Sequence, residues 1–451
     1  MIGRHSMRTH LSVVIASLTL AMAAPGQERA SEDVLTLDRA IELARANNRE
    51  IKRANFDIFR QREASAEAKT SYFPRFDTYL LATELLTPLD FTIKAGQLGT
   101  FPSTGPIPAS NIDLHTAARP VAIASVTVTQ PITQIRRIRF SVAEQRLNEE
   151  LSRQTYSEQE QKLVSDVRRV YYSLLQSQSQ AESQRATIHA LEELGRLTEQ
   201  RLQQQAALKA DSLRIKAEEA KAKYQLLVVE DALSDRKEAL NRLLGRDLLV
   251  EFSVQPVSPT LPEEVDLRAA RTLALAQRPE IKIASLKKNQ ANLETRIEKT
   301  RYVPDISVQA NYVTPAGINF LPQNIGGVGA LLTWQPWDWG QKRHSIAQRV
   351  IAENQAVLTE EDARDQVLLE VDSQFRKLRE ARAQLAVAET ARDAEQERLR
   401  NQTNAYSQQA ILLSELLKQQ ASLATAEDQY RQALLGFWTA RADFERALGE
   451  E

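Results

Sequence analysis

The sequence predicts a mainly α-helical fold built by internal duplication, in which each half contributes two β-strands and a set of long helices. Three observations predict it: two long stretches without proline, residues that recur at a constant spacing, and four short segments in which apolar and polar residues alternate. Long proline-free stretches favour long helices, and alternation favours strands with one apolar face.

Residues 1–23 have the layout of a secretory signal peptide. A basic start at Arg4 and Arg8 runs into an apolar stretch that is too short to span a bilayer as a helix. The segment ends at Ala21-Met22-Ala23, which offers the small residues that a signal peptidase needs. We therefore expect the chain to be exported, and we exclude this segment from the fold.

The composition excludes several classes of function. Cysteine is absent, which removes disulfides, thiolate metal sites and the acylated cysteine of a bacterial lipoprotein. The net charge of −1 is not that of a general nucleic-acid binder. His115, His189 and His344 are isolated from one another, and the chain carries no nucleophile motif or phosphate-binding glycine loop. We expect a protein that is not an enzyme and that needs no cofactor or metal.

Long helices are the first element of the prediction. No proline occurs from Ile132 to Gln255 or from Trp337 to Glu451, and both stretches are rich in strong helix formers. Leu163 and Val167 begin an apolar seam with the spacing of a coiled coil, so this helix must lie against other helices. The predicted helices are 47–72, 138–205, 210–244, 277–301, 341–407 and 414–448.

The two halves of the chain repeat one another. Glu50-Ile51-Lys52 recurs 230 residues later as Glu280-Ile281-Lys282. From the start of the first long helix the offset is 204 residues, and it holds as far as Gly245 and Gly449. An ungapped register of this length predicts two equivalent structural units.

Proline and glycine clusters mark the boundaries of the two units. The first repeat is 34–245, and the second is 264–449. Between them the proline-rich segment 246–263 is predicted to be an extended linker. The first repeat also carries additional residues within 85–120, where glycine and proline cluster, so we predict a long loop there.

Four strands are predicted at 76–80, 126–129, 306–312 and 328–334, where apolar residues fall at every second position. This alternation is typical of a membrane β-barrel, in which each strand has an apolar face towards lipid and a polar face towards the interior, although a small soluble sheet has the same pattern. Four strands cannot close a membrane barrel. Two copies of the chain supply eight strands, filled by side chains, and three copies supply twelve strands with room for a lumen.

The duplicated order of elements carries a family resemblance. Each half contains a helix, a Tyr-x-Pro, two strands, a very long helix and a returning helix that ends in Leu-Gly, at Leu244-Gly245 and Leu448-Gly449. With the entry Arg278-Pro279-Glu280-Ile281, this order resembles the TolC-like outer-membrane efflux proteins over nearly all of 34–449. The resemblance implies a homotrimer with a twelve-stranded outer-membrane β-barrel and a long α-helical tunnel that projects into the periplasm.

The resemblance also implies a function. Such a protein is a passive gated conduit of a tripartite efflux or type I secretion system, surrounded by outer-membrane lipid, with a periplasmic adaptor protein and an inner-membrane pump as partners. Two alternatives stay open: a periplasmic adaptor, which also has a signal and a helical hairpin, and a structural coiled-coil protein. The first predicts glycine-punctuated β modules, and the second predicts a soluble chain that needs no strands.

Candidate gate residues come from the resemblance. Tyr406 and Glu415 match the tyrosine and the first acidic residue of the family's closing constriction, and Lys418 replaces the second acid. Asp211 occupies the position in the first repeat that is equivalent to Glu415, so six carboxylates of a trimer are expected around the periplasmic opening. Compensation of the helix dipole, or capping of a helix, is the alternative role for both acids.

Candidate membrane-interface residues lie just after the strands. Positive charge at a helix N-terminus opposes the helix dipole, so the basic residues there are expected to have an anionic partner. Tryptophans at the same level suit an aromatic belt, although solvated arginines and core tryptophans are equally compatible. The residues concerned are Arg136, Arg137, Arg139, Trp334, Trp337 and Trp339.

Overall fold

The computed structural model describes residues 34–116, 120–206, 208–317, 322–408 and 410–450. The predicted signal peptide, residues 1–23, lies outside these ranges. Helices dominate, and two of them are far longer than the rest. The helices are α1 Leu37–Asn47, α2 Arg49–Thr70, α3 Ile135–Gln203, α4 Lys209–Leu243, α5 Leu267–Gln277, α6 Pro279–Lys299, α7 Gln341–Ser407 and α8 Leu413–Leu448.

The two long helices confirm the central prediction. Helix α3 has 69 residues and α7 has 67, and each is followed by a tight turn and an antiparallel return helix. The predicted seam is real, since Leu163 and Val167 are buried in the core between α1, α3 and α4. Helix α3 packs against α2, α4, α6 and α8, whereas α7 packs against α5, α6 and α8.

The first and fifth helices were not among the predicted elements. Each is separated from the next helix by one extended residue, Asn48 in the first repeat and Arg278 in the second. The Asn48 side chain accepts hydrogen bonds from the amides of Glu50 and Ile51, so it caps α2. In the second repeat Pro279 disfavours a helical conformation at the residue before it, which ends α5.

Ten strands form four small sheets in the described part of the chain. The largest has the antiparallel order β10-β9-β7-β2, which brings the strands of both repeats together. The strands are β1 Val34–Leu35, β2 Arg75–Glu84, β3 Leu89–Ile93, β4 Thr100–Phe101, β5 Gly105–Pro106, β6 Ile112–Thr116, β7 Pro120–Pro131, β8 Ser253–Val254, β9 Asp305–Ala316 and β10 Ile325–Thr333.

The register of the four-stranded sheet separates an apolar face from a mainly polar one. Phe76 pairs with Val128, which pairs with Ala310, which pairs with Val328, so these side chains share one face. That face is open, and Val328 is 80% exposed. The opposite face carries Thr127, Thr129, Ser307, Gln309 and Asn311.

The segment 85–120 is not the long loop that the glycine and proline cluster predicted. It folds into a ribbon of β3 and β6, tipped by the short hairpin of β4 and β5. Phe91 pairs with Leu114, and Ile93 pairs with Ile112, which gives the ribbon an apolar face. The glycines mark its turns, where positive φ angles are needed, and they do not exclude strands between those turns.

The linker segment 246–263 is extended, but part of it is docked on the helices. Strand β8 pairs in parallel with β1, and the hydroxyl oxygen of Tyr171 on α3 lies 2.9 Å from the carbonyl oxygen of Leu35 and 2.8 Å from that of Gln255. This small sheet covers the middle of α3. Among the described residues, no helix combines the length and the apolar composition needed to cross a membrane.

Candidate functional site

The candidate gate lies where the two helical hairpins turn. Gln205, two residues after the end of α3, has a left-handed conformation, and the amide of Ala206 donates to the carbonyl of Arg201. The second turn repeats this closure, since the amide of Ala410 donates to the carbonyl of Ala405. Residues 207 and 409 of the turns lie outside the described ranges.

Both candidate acids lie in the first turn of a return helix. Asp211 opens α4 and Glu415 opens α8, and both side chains are exposed. Neither carboxylate forms a hydrogen bond or an ion pair with any other residue that the structure describes. Each carboxylate lies near the N-terminus of its helix, where its negative charge interacts favourably with the positive end of the helix dipole. Side-chain capping, by contrast, has no geometric support here.

The structure does not place the two acids at one level. Ser212, beside Asp211, donates to Glu199 of α3, so Asp211 lies near the end of α3. Ser183 of α3 donates to the carbonyl of Ala424, and this antiparallel register places Glu415 about two helical turns nearer the sheet. In a trimer the acids would therefore form two rings of three.

The other gate candidates lie at the end of the second hairpin. Tyr406 is in the last turn of α7 and is partly exposed. Lys418 is exposed one turn beyond Glu415 on α8, yet no ion pair joins these two side chains in the described structure. The structure thus brings Tyr406, Glu415 and Lys418 to one end of one hairpin, and Asp211 to the end of the other. Their role in gating stays a prediction.

The basic residues below the sheet have different surroundings. Arg137 forms an ion pair with Asp305 at 2.9 Å, so the chain itself supplies its anionic partner. The guanidinium group of Arg136 lies 5.9 Å from the ring centre of Phe140, and Arg139 is exposed. Neither of these two forms an ion pair with a described residue.

The three tryptophans lie in the segment between β10 and α7, and all three are exposed in the single chain. The rings of Trp337 and Trp339 meet edge to face at 5.7 Å, whereas Trp334 follows the last strand. Exposure at this level is compatible with an aromatic belt. That role stays a prediction.

Sequence reasoning missed the open faces of the long hairpins. On α3, Ser165 and Ser183 pack against α8, and Ser165 is buried whereas Ser183 is half-buried. Their counterparts in the second repeat are Leu369 and Val387 on α7, which are 68% and 70% exposed. The sequence could have indicated this difference, because α7 carries large apolar residues at positions where α3 carries serines.

The return helix of the first repeat has the complementary exposed face. Asp428 and Arg431 on α8 bond to Ser179 and Glu182 of α3. The equivalent residues on α4 are Tyr224 and Leu227, and both are exposed. Exposed apolar side chains that line a helix face in this way mark an interaction surface.

The comparisons with known proteins agree with this geometry. Residues 40–246 match the family model described as outer membrane efflux protein. No curated protein matches the sequence. The chain resembles the CmeC outer membrane channel of Campylobacter jejuni with a TM-score of 0.75 and 14% identity, over 98% of this chain and 94% of that one.

Other channels share the fold. VceC of Vibrio cholerae matches with a TM-score of 0.70 and 16% identity, over 92% of this chain and 96% of that one. The MtrE channel of Neisseria gonorrhoeae matches with a TM-score of 0.68 and 16% identity, over 92% and 89%. The fold class predicted from the sequence is thus confirmed, and the predicted resemblance to the TolC-like outer membrane efflux proteins agrees with the family model over residues 40–246.

Proposed function

We propose that the protein is one subunit of a homotrimeric outer-membrane channel. The channel is a passive gated conduit from the periplasm to the exterior, within a tripartite efflux or type I secretion system. Its partners are a periplasmic adaptor protein and an inner-membrane pump. The observation that carries the proposal is the open face of α7, where Leu369 and Val387 stand exposed at positions that are covered on α3.

A second copy of the chain can cover the open face of α7 with a helix contact that already exists within one chain. Because the two repeats are equivalent, the packing of α3 on α8 can recur between α7 of one copy and α4 of the next. That packing brings Leu369 and Val387 towards the exposed Tyr224 and Leu227 of the neighbour. Such a head-to-tail contact generates a ring when its rotation closes.

The sheet supports the same arrangement. Its outer strands, β10 and β2, each have one edge without a partner among the described residues. Strands β7 and β9 already pair across the repeats, so β10 of one copy can pair with β2 of the next in the same way. Three copies supply twelve strands and a lumen, whereas two copies supply eight strands that side chains fill.

The apolar face of the sheet and the length of the helices support the location. Phe76, Leu80 and Val328 are exposed on that face, as expected of a surface in contact with outer-membrane lipid. At about 1.5 Å per residue, α3 reaches roughly 100 Å, so the helical part projects deep into the periplasm. A structural coiled coil needs no such sheet, and the β modules of a soluble periplasmic adaptor would bury an apolar face that is open here.

The test combines assembly with conductance. Protein extracted from outer membranes in detergent should have the mass of a trimer by native mass spectrometry, and it should form conducting pores in planar bilayers. Leu369→Asp and Val387→Asp should each reduce the trimer fraction, whereas Leu86→Asp, at an exposed apolar residue between β2 and β3, should not. A monodisperse monomer that is soluble without detergent contradicts the proposal.

The orientation has its own test. The ribbon within 85–120 is expected to face the exterior, and Lys94 within it is exposed to trypsin. Trypsin added to intact cells should cut in this ribbon. Cleavage confined to the hairpin tip near 207–211 would reverse the orientation.

A further inference from the structure

A closed ionic cluster joins the helices of the second repeat where α5 meets α6. The guanidinium group of Arg278 is almost fully buried and forms two hydrogen bonds to Glu280, at 2.8 and 2.7 Å. It also lies 2.7 Å from Glu370 of α7 and donates to the carbonyl of Arg446 at 3.1 Å. Arg446 in turn forms an ion pair with Glu370. One buried cation therefore fills this junction.

The equivalent junction of the first repeat lacks that cation. Asn48 stands where the second repeat has Arg278, and its side-chain amide donates to the carbonyl of Leu243 at 2.9 Å. Glu50 and Asp166 are the counterparts of Glu280 and Glu370. The Glu50 side chain is 76% exposed, whereas that of Glu280 is 33% exposed.

An open cavity of about 980 Å³ occupies this place, between the start of α2, the middle of α3 and the end of α4. We call it the junction groove. Its wall includes five basic side chains and three carboxylates, so the groove carries excess positive charge. The basic residues are Arg49, Arg53, Lys162, Arg242 and Arg246.

The second repeat shows what covers such a junction. Gln161 of α3 donates to the carbonyl of Gly449 at 3.0 Å. Glu158 of α3 faces the same place: burial raises its pKa, Glu280 raises it further, and Arg278 lowers it. Helix α3 thus lies over the junction of the second repeat, and two of its polar residues point at it.

On α7 the residues equivalent to Glu158 and Gln161 are Asp362 and Asp365. Both are exposed, and neither forms an ion pair with any residue that the structure describes. They lie on the open face that continues to Leu369. The register that places Gln161 over Gly449 places Asp365 of one copy beside Gly245 and Arg246 of the next.

We propose that Asp362 and Asp365 of one copy enter the junction groove of the neighbouring copy and neutralise its excess positive charge. This inference rests on the proposed trimer and specifies its interface. Around the ring, junctions closed within a chain by Arg278 alternate with junctions closed between chains by the acids of α7. Opposite charges at matched positions suppress wrong registers and speed encounter.

The test measures trimer stability in detergent as a function of salt. Salt screens exposed ion pairs, so the parent trimer should dissociate more readily as sodium chloride rises. Asp365→Lys should increase dissociation roughly tenfold at low salt, because it leaves like charges facing each other. Glu389→Lys is the matched control, since it reverses an exposed acid on the same helix whose counterpart on α3, Arg185, faces the return helix α4 of its own hairpin.

A second set of variants reverses charges in the junction groove itself. Adding Lys162→Asp and Arg53→Asp to Asp365→Lys should restore the trimer, whereas these two substitutions alone should weaken it. The chain has no cysteine, so Asp365→Cys with Arg246→Cys, treated with a short bismaleimide, should give covalently linked trimers.

The outcomes separate this inference from the function on which it rests. A parent protein that is monomeric in detergent overturns the trimer itself. A stable trimer in which Asp365→Lys behaves like Glu389→Lys, with no rescue and no cross-linking, overturns the ionic junction alone. Trimers that inorganic phosphate stabilises equally in the parent and in Asp365→Lys would identify a free anion as the occupant, against the proposal.

Discussion

Gly245 lies directly against Asn47, where the end of α4 meets the break between α1 and α2. A Cβ on Gly245 would stand 2.4 Å from the carbonyl oxygen of Asn47, and the φ angle of Gly245 is +68°. Gly449 has the same left-handed conformation against Gln277 in the second repeat. Both repeats therefore end their return helices with a left-handed glycine at the equivalent junction, and the approach is too close for a Cβ at Gly245.

We expect Gly245→Ala to lower the free energy of unfolding by at least about 2 kcal/mol, because it adds backbone strain to a steric clash. The control is Gly436→Ala within α8, where an added Cβ meets no atom within 4 Å. That change should be neutral or stabilise by up to about 1 kcal/mol. Urea unfolding in detergent, followed by circular dichroism, compares the two, and equal effects would contradict the contact.

Arg278→Ala should destabilise the second repeat by about 3 to 5 kcal/mol, since removal of a buried cation leaves the carboxylates Glu280 and Glu370 close together without compensation. Arg39→Ala is the control, because Arg39 pairs with Glu42 on an exposed helix surface. Its expected effect is below about 1 kcal/mol. Thermal unfolding of both variants measures the difference. An effect of Arg278→Ala as small as that of Arg39→Ala would show that the ionic cluster is accessible to solvent.

Stability should fall at alkaline pH because of a buried tyrosine. Burial and the nearby Glu445 raise the pKa of Tyr172 to about 12, although Arg168 lowers it. The unfolded side chain ionises near pH ~10, so this contribution is complete below pH ~10 and is lost as the pH rises towards ~12. Tyr172→Phe should flatten this decline by up to roughly 2 to 3 kcal/mol.

Urea midpoints of the parent and of Tyr172→Phe at a series of pH values provide the measurement. Tyr79→Phe is a suitable control, because Tyr79 is exposed on the sheet, away from the helix faces that are proposed to meet in the trimer. Parallel pH profiles for the parent and Tyr172→Phe would show that Tyr172 ionises as it does in the unfolded chain.

The gate acids should control ion preference. In planar bilayers we expect a conductance that prefers cations and that multivalent cations block from the periplasmic side. Asp211→Asn with Glu415→Gln should weaken both properties. Because the acids lie at different levels, each single substitution should remove part of the effect, and Lys418→Gln should increase cation preference. Unchanged selectivity in the double variant would place both acids outside the lumen and direct the search for the gate to Tyr406.

The sequence by itself determined the six longer helices, the four strands of the main sheet and the duplication. Helix α7 was predicted at its observed bounds, because a proline-free stretch of helix formers leaves little choice of conformation. The strands were located by alternation, although β7 and β9 extend well beyond the predicted segments. Pairing with neighbouring strands sets their length, and one segment does not contain that information.

Only the tertiary structure decided the levels of the gate acids and the nature of the two junctions. Asp211 and Glu415 are equivalent in sequence, yet the shift of one hairpin along the other places them at different heights. Asn48 and Arg278 are equivalent as well, but a covering helix buries the second junction and leaves the first exposed. Equivalence in sequence predicts local conformation. Exposure depends on which neighbour packs there: of the two long helices, α3 packs against the helices of both repeats, whereas α7 packs only against α5, α6 and α8 of its own repeat.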